Sequence, residues 1–148
     1  MAEITASRTY SNLLGAVAHE VIASRRYLVF ARVAEEEDQR QAAVLFRKMS
    51  ARRNSNAEAH LRLLDALEDA GAHHGTGAAI AHLKVSIAHA LHEYAVMYPG
   101  MARTARDEGF DEIADWFEMV AEASRARACR FEQALEQATQ SQSVGFGT

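Results

Sequence analysis

Cysteine and proline occur once each in this chain of 148 residues. A lone Cys129 excludes an internal disulfide and any Cys-x-x-C metal knuckle. A lone Pro99 and only eight glycines leave little material for tight turns, which argues against a sheet protein. No stripe of one charge is present either. The 16 basic and 20 acidic residues are interspersed at a formal net charge of −4, so nucleic acid is not an expected partner. No run is apolar enough to cross a bilayer, and the polar stretch from Met1 to Thr9 offers no apolar core for a secretory signal. A soluble, cytoplasmic protein with no membrane partner is the expectation. Nucleophile–base pairs, phosphate loops and dinucleotide fingerprints are absent as well.

What remains is rich in Ala, Glu, Arg and Leu, with 49% hydrophobic content, enough for one packed domain over residues 1–148. Helical spacing of apolar residues runs from about Thr9 to Glu37 through Leu13, Val17, Tyr27, Phe30 and Ala34. The charged cluster from Glu35 to Arg40 turns the chain. Leu45, Phe46, Met49, Ala57, Leu63, Leu64 and Leu67 then describe a second core face, and the two helices are expected to form an antiparallel hairpin. Gly71, Gly75 and Gly77, mixed with His73, His74 and Thr76, read as a long connection. A third pattern through Leu83, Ile87, Tyr94, Met97 and Met101 contains Pro99, so a kink is expected near Tyr98 before a stop at Gly109. A fourth runs from Asp111 to about Ala138, with Ile113 and Phe117 on its core face, and residues 139–148 are expected to be a flexible tail. The fold class is all-α: a four-helix bundle of two antiparallel hairpins joined by a long crossover, the second repeating the layout of the first.

Each apolar stripe is interrupted by polar or charged residues at core-facing positions. These are Glu20 in the first, Arg53 and Asn56 in the second, Glu93 in the third, and Ser124 and Arg127 in the fourth. Buried charges need partners, so function is expected here. Di-iron carboxylate bundles project a Glu from each of two helices and a Glu-x-x-His pair from each of the other two, because residues i and i+3 share a helix face. The slots are present, but the two Glu-x-x-His slots read Arg53-Asn54-Ser55-Asn56 and Ser124-Arg125-Ala126-Arg127.

In order and almost without gaps, the chain carries Asn12-Leu13, His19-Glu20, Arg26-Tyr27, Leu45-Phe46, His92-Glu93-Tyr94, Met97-Tyr98-Pro99, Ala102-Arg103, Glu108-Gly109-Phe110 and Arg130-Phe131. In these features it resembles the rubrerythrin family over nearly its whole length. The resemblance implies a ferritin-like bundle, commonly dimeric, that in the family reduces hydrogen peroxide at a di-iron centre. It also implies that Glu20 matches an iron ligand and Glu93 the extra carboxylate of the third helix. Arg53 then stands for a bridging Glu, Asn56 for a ligand His, Ala90 for a third-helix Glu, and Ser124 and Arg127 for the fourth-helix Glu and His. Tyr27 and Tyr98 match tyrosines that surround the family's site. The family's rubredoxin module needs four cysteines, and none follows Cys129, so no built-in electron relay is expected.

A charge count bears on what such a pocket holds. Two ferrous ions bring +4 to a site where Glu20 and Glu93 supply −2 and Arg53 and Arg127 supply +2, whereas without metal the sum is zero. A like-charge pair at ~4 Å costs about 4 kcal/mol at an effective dielectric near 20, so guanidinium and iron exclude one another. The expectation is a degenerate di-iron site with no cofactor, in which arginines act as counter-ions within a non-catalytic binding or structural protein. The rival is a metal-dependent oxidoreductase with an external reductant, holding about one iron or other divalent ion per chain at Glu20, His60, His89 and Glu93. A homodimer and an unidentified protein partner are the expected associations.

Overall fold

In a computed structural model, which describes residues 7–67 and 77–144, all regular structure is helical. Helix α1 spans Arg8–Glu36, α2 Arg40–Leu67, α3 Ala78–His92, α4 Tyr98–Asp107 and α5 Asp111–Val144, with a π-helical turn, Glu93–Met97, between α3 and α4. The architecture is all-α and of the ferritin-like helical class, with no strand among the described residues. The expected connection through Gly71, His73, His74 and Gly75, and the last four residues of the expected tail, lie outside the described residues. No helix among the described residues is long and apolar enough to cross a membrane.

The chain divides into two units, Met1–Gly71 and Ala72–Thr148. The first is the hairpin of α1 on α2; in the second, α3, the π turn and α4 line up against α5. Ser7 starts α1 by accepting a hydrogen bond from the Tyr10 amide at 3.1 Å, which satisfies one of the free N–H groups of the first turn. The two hairpin turns share most of their backbone bonds. Gln39 N donates to Ala34 O at 2.7 Å in the first, and Phe110 N to Ala105 O at 2.7 Å in the second. Both turns pass through the left-handed region, at Asp38 (φ 57°) and Gly109 (φ 83°).

Each hairpin is seamed with small residues. Along α2 the buried positions recur every seventh residue as Ala43, Ser50, Ala57 and Leu64, and α1 meets them with Glu20, Ser24, Ala31 and Ala34. Ala102, Ala105, Ala114, Ala121, Ser124 and Ala128 do the same in the second hairpin. This corrects the expected core. Periodicity places Phe30, Leu45, Leu63, Met101 and Ile113 on core faces, yet within their hairpins all five are exposed. Two helices in contact bury only a narrow seam, and alanine lets their backbones approach; the wider apolar face stays outside it.

From Tyr27 onward the repeat has a constant offset. Tyr27, Ala31, Ala34, Ala43, Phe46 and Ala57 are matched seventy-one residues later by Tyr98, Ala102, Ala105, Ala114, Phe117 and Ala128. Upstream of the π turn the offset is seventy, pairing buried Glu20 with buried Ala90. The π turn is therefore the one-residue insertion that distinguishes the second hairpin from the first. It takes the place of the kink expected near Tyr98: Pro99 cannot donate to the residue four before it, and the wider turn accommodates that loss immediately upstream. At the other end, α5 runs to Val144, beyond the expected end at Ala138. Gln and Ala there tolerate helix, and Thr139 and Ser141 bond back to the carbonyls of Leu135 and Gln137.

Candidate functional site

Each hairpin holds one of the two carboxylates, and each carboxylate is met by an arginine from the facing helix. In the first, Glu20 on α1 is buried at 9% exposure, and its Oε1 accepts from Arg53 Nη1 on α2 at 3.0 Å. Asn56 Nδ2 approaches the other oxygen at 3.5 Å, the long limit of a hydrogen bond. Tyr27 first and Glu20 second hold Arg53 above its ordinary pKa, so it keeps its charge throughout the accessible pH range. Tyr27 is itself set by packing against Phe30 and Phe46, with ring centroids 6.3 and 6.0 Å away.

In the second hairpin, Glu93 opens the π turn and its Oε2 accepts from Ser124 Oγ and Arg127 Nη1 on α5, both at 2.8 Å. Ser124 is fully buried. The insertion explains why Glu93 faces α5: its counterparts in the first hairpin, Ile22 and Ala23, take no part in a comparable bond. Tyr98 packs on Phe117 with centroids 6.1 Å apart, the counterpart of Tyr27 on Phe46. Tyr94 carries Arg125 over its ring face, 5.5 Å from the centroid.

Of the seven positions singled out from sequence, Glu20, Arg53 and Asn56 thus meet in one hairpin, and Glu93, Ser124 and Arg127 in the other. Ala90 is buried in the second seam with no polar atom to offer. His60 lies on α2 and His89, exposed, on α3. Among the described residues no three His, Cys, Asp or Glu side chains converge as a metal site. No described buried side-chain nitrogen or oxygen lacks a hydrogen-bond partner. These are charge-assisted bonds between a carboxylate and a group that does not release its proton, so neither cluster is an acid–base couple.

Periodicity missed one polar contact. Ser24 and Ser50 are buried across the first seam; each hydroxyl donates to the other's backbone carbonyl, at 3.1 and 3.0 Å, and the oxygens lie 3.0 Å apart. The available signal was the repeat, which has Ala121 where α2 has Ser50.

A rubrerythrin family model matches residues 11–135. The chain belongs to the rubrerythrin family. It is 34% identical to a rubrerythrin of Nitratidesulfovibrio vulgaris over 135 residues, which is 88% of this chain and 71% of that relative. Identity to a rubrerythrin of Porphyromonas gingivalis is 31% over 132 residues, or 86% of this chain and 66% of the relative. Rubrerythrin-1 of Clostridium acetobutylicum is 26% identical over 144 residues, covering 92% and 74%. This rubrerythrin-family chain therefore spans about two thirds to three quarters of the length of these relatives. Members of the family are typically iron-binding oxidoreductases.

Proposed function

We propose that this chain is a rubrerythrin-family protein whose di-iron site has become two carboxylate–guanidinium locks, and that it acts as a non-catalytic binding or structural protein. One observation carries the reading. Both carboxylates that match family positions are already engaged by arginines, Glu20 at 3.0 Å and Glu93 at 2.8 Å. The other matched positions are Arg53, Asn56, Ala90, Ser124 and Arg127, and two of these bring a positive charge to where a cation would bind. The donor set does not fit a pair of iron ions, and no redox step is routed through one. Arginine suits the replacement because its planar fork satisfies carboxylates without titrating.

The protein is soluble and cytoplasmic in this reading, and it works by association. On α1, Leu14, Val21, Ile22, Val29 and Val33 are exposed in a stripe roughly opposite Glu20, Ser24 and Ala31. That stripe supports a homodimer, with a further protein as the effector of whatever the dimer displays.

Elemental analysis after anaerobic ferrous reconstitution tests the site. The expected content is close to no metal per chain. About one ion per chain would favour the rival oxidoreductase, with Glu20, His60, His89 and Glu93 as ligands and an external reductant. Two would overturn the lock.

A further inference from the structure

The ion pairs at the turn end of each hairpin occupy equivalent positions with their signs reversed. On α1, Glu35 accepts from Arg47 of α2, at 2.7 Å from Nη2 and 3.1 Å from Nε. Seventy-one residues later Arg106 stands at the position of Glu35 and Glu118 at that of Arg47, and the pair is remade at 2.9 Å. The inversion extends to the start of the second helix. Arg40 opens α2, whereas its counterpart Asp111 opens α5 and lies 3.7 Å from Arg106. Asp115, 2.8 Å from Arg106, adds another acid where α2 has Val44.

Local helix electrostatics do not account for this. A carboxylate in the first turn is favourable, as Asp111 and Glu112 are in α5, whereas Arg40 opposes the dipole of α2, whose first turn holds no acid. The first hairpin thus carries the less favourable sign at its own helix start. The explanation lies in the comparison of one hairpin with the other.

We propose that the reversed charges are a pairing code, which keeps α1 with α2 and α4 with α5 in a chain whose repeated seams would accept either combination. The hazard is the repeat itself. Ala31 and Ala34 of α1 match Ala102 and Ala105 of α4, and Ala43 and Ala57 of α2 match Ala114 and Ala128 of α5. An α1·α5 pairing, within one chain or between two copies, sets Glu35 against Asp111, Asp115 and Glu118. The complementary α4·α2 pairing sets Arg106 against Arg40 and Arg47. Like charges in register oppose both, as charged flanking positions do in paired coiled-coil helices. The serine pair adds a buried check, because Ala121 offers Ser24 no hydroxyl. The carboxylate locks do not discriminate in this way, since Arg127 stands at the position of Asn56 and presents a donor to Glu20 in either pairing.

The test is the full-length triple variant Glu35→Arg, Arg40→Asp, Arg47→Glu. It keeps an ion pair within the first hairpin but gives it the sign of the second. Refolded from urea at low salt and followed by two-dimensional amide NMR, the parent is expected to show one set of peaks. The variant is expected to show a second set, about a tenth of the signal or more, with doubling at Ala31, Ala43, Ala102 and Ala114. The parent refolded in about 1 M salt, where the Debye length falls to ~3 Å, is expected to do the same and does not depend on the variant folding. A single set in both experiments overturns the code.

Discussion

At the scale of single residues, Glu20 is the position with most at stake. It is a buried carboxylate whose partners are an arginine and a long amide contact. Glu20→Ala is expected to lower the melting temperature by several degrees, because Arg53 loses its counter-charge. Glu20→Gln keeps an acceptor for Nη1 and is expected to fall between Ala and the parent in thermal melts. A Glu20→Ala protein as stable as the parent would contradict the lock. Raising the pH is not expected to release it: a guanidinium held above its ordinary pKa contributes below that value and is lost only as pH rises through it. The special character of Glu20, Arg53, Glu93 and Arg127 was legible from polar residues interrupting apolar stripes. Which arginine met which glutamate was not, since periodicity places a side chain on a face and says nothing of its reach.

At the scale of elements, the π turn decides how the second hairpin differs from the first. One added residue turns Glu93 toward α5 and leaves everything from Tyr98 onward in register with its counterpart. Deleting Ala95 removes that residue and is expected to bring the helix upstream of Pro99 into the register of α1, at the cost of the Glu93 contacts with Ser124 and Arg127. The check is non-additivity: Glu93→Gln should lower the melting temperature by a few degrees in the parent and leave the deletion variant unchanged. Pro99 announced an irregularity here, and the helix boundaries at Gly109 and Asp111 were equally plain from composition. The alanine seams were not. A helix periodicity plot weights leucine and phenylalanine, whereas the contact within each hairpin is set by the residues small enough to let two backbones approach.

At the scale of the whole molecule, the exposed apolar stripe of α1 is the basis for expecting self-association. If a dimer covers it, the melting temperature rises with protein concentration, and size-exclusion chromatography gives twice the chain mass at micromolar concentration; a concentration-independent monomer would remove that reading. The sequence by itself determined the helical class, the two-hairpin layout, the family and the positions of the polar interruptions. These depend on composition, spacing and order, which are properties of a string. The tertiary structure alone decided that each carboxylate is satisfied within its own hairpin, that two serines lock one seam, and that the reversed charges of the two hairpins meet as ion pairs. Those facts depend on which residues from distant parts of the chain come within a few ångströms, and only the packing of helix on helix sets that distance.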